Sequence, residues 1–128
     1  PNTVLGEAAF AMNDLDLAAK HFRRAIRIAA DTWRPPEGNH ALAGLARLLA
    51  AQGDLEGAYR LGNFVLVNPA SWQWSKDIAA DLLAQLEVEL SPESISAARK
   101  WGNEKQFEEV ASHHLSTETL GGSSSVAS

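Results

Sequence analysis

Ala11-Met12-Asn13-Asp14-Leu15-Asp16-Leu17-Ala18-Ala19-Lys20 and Ala51-Gln52-Gly53-Asp54-Leu55-Glu56-Gly57-Ala58-Tyr59-Arg60 carry one pattern at a spacing of 40 residues. Each ends a helical stretch of apolar residues, inserts a turn with an aspartate that suits an N-cap, and starts a second helical stretch. At the same spacing Leu5 and Gly6 fall on Leu45 and Ala46, and the pair Leu55/Ala58 returns as Ile95/Ala98. A basic series, Lys20, Arg60 and Lys100, accompanies them. Self-similarity at a fixed period predicts stacked supersecondary units, with the small residues at close helix crossings.

Within the units the period is helical throughout. Val4, Leu5, Ala8, Ala9 and Met12 lead to the Asn13-Asp14 break, then Leu15, Ala18, Ala19, Phe22, Ala25, Ile26 and Ala29 follow. The second unit runs from Leu42 to Leu49, breaks at Gly53-Asp54 and continues from Leu55 to Leu66. The third opens near Ser71, carries Trp74, Ile78, Leu82, Leu83 and Leu86, turns at Ser91-Pro92-Glu93 and ends with Ile95, Ala98 and Trp101. A last amphipathic segment over 104–115, with Phe107, Val110, Ala111 and Leu115 on one side, is expected to cap the open end of the array. The expected architecture is therefore an all-α solenoid of about three antiparallel hairpins plus a C-terminal cap over residues 1–115. Residues 116–128, rich in serine, threonine and glycine, are expected to form a flexible tail.

Leu5-Gly6, Ala18, Phe22 and Ala25 stand at the spacings of the tetratricopeptide repeat, which the first unit resembles most. The second unit keeps Leu45, Ala46 and Ala58 but has Gly62 in place of the aromatic, and the third departs further. The usual period is about 34 residues; the excess falls in Trp33-Arg34-Pro35-Pro36-Glu37-Gly38, expected to lengthen the link between units. Stretched repeats with Ala-Gln-Gly-Asp turns resemble the C-terminal arrays of large bacterial signalling ATPases and transcriptional regulators. The resemblance implies a sensor or docking arm of a larger chain, working on a protein or peptide partner. The lysine and asparagine clamp that some members use for peptide carboxylates is replaced here by Thr3, Glu7 and Ala43.

Composition narrows the function classes. A formal net charge of −5, with the acidic excess in the last third, offers no broad basic face for nucleic acid. Lys20, Arg23, Arg24 and Arg27 form a local basic stripe, the ordinary solvated side of an amphipathic helix. The chain has no cysteine, which excludes disulfides and thiolate chemistry and points to a reducing compartment, the cytoplasm. Ala41 to Ala51, the longest apolar run, is too short for a membrane span. No nucleophile elbow, phosphate loop or metal signature is present, and Glu109 with His113 lacks a third ligand, so no enzyme, cofactor or metal is expected.

The first helices of stacked hairpins line one side of such an array, so residues one period apart stand in a row. Glu7, Arg47 and Glu87 form that row, flanked by Phe10 and His40, with Trp72 at the rim. As a site it offers Arg47 as the anchor for a carboxylate or phosphate of the partner. The ordinary structural expectation is that Glu7 and Glu87 pair with Arg47. Of the tryptophans, Trp74 and Trp101 are expected in the core, Trp33 and Trp72 at the surface. Two other functions fit the same fold: a small-ligand sensor enclosing a metabolite, and self-association through the array ends. Oligomeric state is not written in the sequence.

Overall fold

The computed structural model describes residues 1–115, all of whose regular structure is helical. In chain order the helices are α1 (Asn2–Ala11), α2 (Leu15–Asp31), α3 (Pro35–Ala51), α4 (Leu55–Val67), α5 (Gln73–Glu87) and α6 (Pro92–Glu104). A seventh, α7, covers 107–115. The serine-rich stretch 116–128, expected to be a tail, lies outside the described residues. Among the described residues no helix is long and apolar enough to cross a membrane.

Three successive turns are built alike. Asn13, Trp33 and Gly53 take left-handed φ values of 61°, 56° and 92°. The amides that follow them, of Asp14, Arg34 and Asp54, bond back to the carbonyls of Ala9, Ala29 and Leu49. This satisfies helix-end carbonyls and reverses the chain within three residues. The Asp14 and Asp54 side chains then accept the amides of Leu17 and Gly57, capping the next helix. Ser91 does the same for α6 with Ser94, and Pro92 occupies its first turn.

Consecutive helices pack antiparallel from α1 through α5, giving the expected repeat array. Its first junction is organised around Phe22 of α2, which is buried between two glycines. A Cβ at Gly6 of α1 would fall 2.7 Å from the Phe22 ring, and one at Gly44 of α3 would fall 2.4 Å from it. Leu42, Leu45, Leu48, Tyr59, Leu61, Phe64 and Val65 continue the core into α3 and α4.

The structure corrects the sequence reading in three places. The stretch Trp33–Gly38 is not a long connector: α3 already begins at Pro35, and α2 and α3 each have 17 residues, so the extra chain is wound into helix. The last helix does not cover the open end; α7 folds back, laying Phe107 so close to Gly38 that a Cβ there would sit 2.3 Å from the ring. The third unit is also irregular, because α6 packs on α4 rather than closely on α5.

Candidate functional site

The first helices of the units, α1, α3 and α5, share one face, and a trough of about 360 Å³ runs across it, lined by Phe10, Arg47, Ile78, Asp81, Leu82 and Gln85. Arg47 is exposed, and its guanidinium carbon lies 4.8 Å from the centre of the Phe10 ring. That stacking fixes the otherwise mobile cation over an aromatic surface. Among the described residues no carboxylate lies within the 4.0 Å of an ion pair with Arg47. The expected pairing of Arg47 with Glu7 and Glu87 is therefore absent.

Glu87 drops out of the row for a geometrical reason. The buried residues Ala79, Leu82, Leu83 and Leu86 of α5 occupy the places of Ala41, Gly44, Leu45 and Leu48 of α3, a spacing of 38. The equivalent of Arg47 is thus Gln85, which lines the trough. Glu87 turns away: its Oε2 accepts the Tyr59 hydroxyl at 2.8 Å and pairs with Arg99 at 3.5 Å. Burial, followed by the bond to Glu87, raises the Tyr59 pKa above its ordinary value. This group braces α4, α5 and α6, a structural role.

Beside the trough His40 joins three helices. Its Nδ1 is 2.9 Å from the Ser75 hydroxyl and its Nε2 is 3.8 Å from Glu7 Oε1. The contacts suit a tautomer whose Nδ1 accepts a hydrogen bond from the Ser75 hydroxyl while Nε2–H points towards the carboxylate. Trp72 and Trp74 both lie 6.0 Å from His40, and 5.3 Å from each other in an edge-to-face pair. The fully buried Asn39 holds this corner in place, its Nδ2 donating to Asn68 at 3.1 Å and Ser71 at 2.9 Å in the segment that leads to Trp72.

Five of the six expected residues, Glu7, Phe10, His40, Arg47 and Trp72, are thus gathered on one face. Trp74, Ile78, Asp81 and Gln85 belong there too. Trp74, expected in the core with Ile78, is 61% exposed. The two do share a helix face, but it is the trough face. Trp33 is 65% exposed, as expected, while Trp72 and Trp101 are half-buried. The apolar spacing of Leu82, Leu83 and Leu86 against Leu45 and Leu48 carried the signal for the shifted register.

Comparison with known protein families, characterised proteins and solved structures returns no match to this chain.

Proposed function

We propose that the chain is a non-catalytic docking module of the tetratricopeptide type, binding a segment of a partner protein along the α1/α3/α5 trough. The observation that carries this reading is the composition of that face: Arg47 stacked on Phe10 and, among the described residues, without an ion-pair partner, with the exposed Trp74 and half-buried Trp72 grouped around His40 on the same side. Partly exposed aromatics beside a free arginine are the residue types that dominate binding energy at protein interfaces. Arg47 would take a carboxylate of the partner, and Trp72, Trp74 and Ile78 its apolar side chains. The trough lies on the surface formed by three helices rather than inside the core, where an extended or helical segment could lie across α1, α3 and α5. By the resemblance of its repeats, the module would serve as the C-terminal arm of a larger cytoplasmic bacterial regulator.

The test is a peptide selected from a display library against the chain, with affinity measured for Arg47→Glu, Trp74→Ala and, as a control remote from the trough, Trp33→Ala. The trough reading expects Arg47→Glu and Trp74→Ala each to weaken binding by about tenfold or more, equivalent to about 1.4 kcal/mol, with Trp33→Ala unchanged. Selected peptides that bind all three variants equally would remove the trough as the site.

A further inference from the structure

The side opposite the trough holds a second cluster, where α7 folds back. A cavity of about 180 Å³ is lined by Arg23, Leu49, Asp54, Gly57, Arg60, Leu61, Trp101, His113 and His114, drawing on α2, α3, α4, α6 and α7. It is too small for a drug-sized ligand, whose pockets start at about 300 Å³. Its charge is on balance positive, two arginines against one carboxylate. Arg23 is half-buried, and its Nε is sealed from solvent with no hydrogen-bond acceptor. Arg60 stacks over Trp101 at 5.4 Å. Among the described residues neither arginine has a carboxylate within 4.0 Å. The one acid in the lining, Asp54, is already engaged as the cap of α4, accepting the Gly57 amide.

A buried guanidinium nitrogen without an acceptor is costly, and two arginines against the single carboxylate of Asp54 leave the cavity a net positive charge that a bound anion would offset. We propose that this cavity is a binding site for a phosphate-type oxyanion, held by Arg23 and Arg60 beneath the histidines of α7. The planar guanidinium presents its donors as a fork that matches such oxygens. The electrostatics agree. His114 is pushed down to about 4, first by burial and then by the positive charges of His113, Arg23 and Arg60, with Asp54 acting in the opposite direction. An anion in the cavity would offset those charges and raise the His114 pKa.

The experiment titrates the intact chain with inorganic phosphate and with glycerol phosphate at constant ionic strength, following the histidine resonances and the melting temperature. Saturable binding is expected, with the His114 pKa raised in the bound form. Arg23→Gln and Arg60→Gln should each weaken binding at least tenfold, whereas Arg24→Gln, exposed on the same helix as Arg23, should not. Because Arg60 is exposed, its variant tests the site even where loss of the Arg23 charge perturbs folding. Tighter binding of glycerol phosphate would identify an esterified group lying along Leu49 and Leu61, and equal binding the free ion. Chloride reproducing the shifts, or both arginine variants binding as well as the original, would overturn the proposal.

Discussion

The two junctions between units solve one packing problem with opposite residues. At the first, a large side chain on the second helix, Phe22, enters a space left by Gly6 and Gly44 on the first helices. At the second, Gly62 takes the place of Phe22, and the bulk comes from the other side: a Cβ there would meet Leu83 at 3.2 Å and Leu82 at 3.8 Å. Leu82 stands where Gly44 stands one unit earlier. Helix separation is thus maintained by exchanging large and small across the interface, which close packing permits as long as the summed volume is kept. The difference lies in tolerance. The Phe22 ring is flanked by backbone on two sides, whereas the Leu83 methyl group is the end of a side chain that can turn.

Removing the large side chain at the first junction is the strongest way to break this symmetry. Phe22→Ala should cost about 3–5 kcal/mol, because Gly6 and Gly44 leave no side chain to collapse into the void. Urea denaturation monitored by circular dichroism measures it. Adding Gly44→Leu to Phe22→Ala, which imitates the second junction, should recover about 1–3 kcal/mol as a coupling term. Simple additivity of the two losses would show that the exchange of sizes is not what holds the helices apart.

Next in size is Gly44→Ala alone. Alanine gains about 1 kcal/mol in helix propensity. That gain is outweighed, since the new methyl would fall 2.4 Å from a ring that Gly6 stops from retreating. A net loss of about 1–3 kcal/mol is expected. Equal or improved stability would mean that the ring moves and the junction is looser than its burial indicates.

These junctions explain how much could be read beforehand. Hairpins, caps and the sharing of a face by Glu7, Phe10, His40 and Arg47 followed from local patterns: helical period, turn residues and a repeat of 40. Gly62 read as a defect in the repeat because the compensating bulk, Leu82 and Leu83, lies about 20 residues downstream, where only the packed structure relates the two positions. The loss of register that removes Glu87 from the row was hidden for the same reason. The return of α7 depends on Gly38 being small enough to admit Phe107, a contact between residues 69 apart in the chain. Local periodicity carries no signal for it.

The first junction is also backed by α7, and acid should separate the two junctions. His114 has a folded pKa of about 4 against an ordinary value of 6.5. The unfolded chain therefore takes up the proton first as the pH falls. The stability linked to neutral His114 is complete above about pH 6.5 and is lost progressively as the pH falls towards 4. Hydrogen exchange across this window should show the amides of α7 and the adjoining part of α2 losing protection before those of α5, and His114→Gln should flatten the decline. Uniform acid loss over all helices would assign the effect to carboxylates elsewhere.

The smallest effect is the mirror of Gly44→Ala. At Gly62 the same substitution places a methyl 3.2 Å from Leu83 Cδ2, the tip of a side chain with rotamers to choose from. A displacement of a few tenths of an ångström relieves the contact, and the helix keeps the gain from replacing glycine, up to about 1 kcal/mol. Gly62→Ala is therefore expected to leave stability unchanged or raise it slightly, opposite in sign to Gly44→Ala. The pair of melting temperatures, measured side by side, tests whether rigidity of the partner decides what a repeat position accepts, since chemistry and helical setting are the same in both. If both variants lose stability equally, the two junctions are equally tight, and the exchange of Phe22 for Gly62 is a swap of shape without a difference in tolerance.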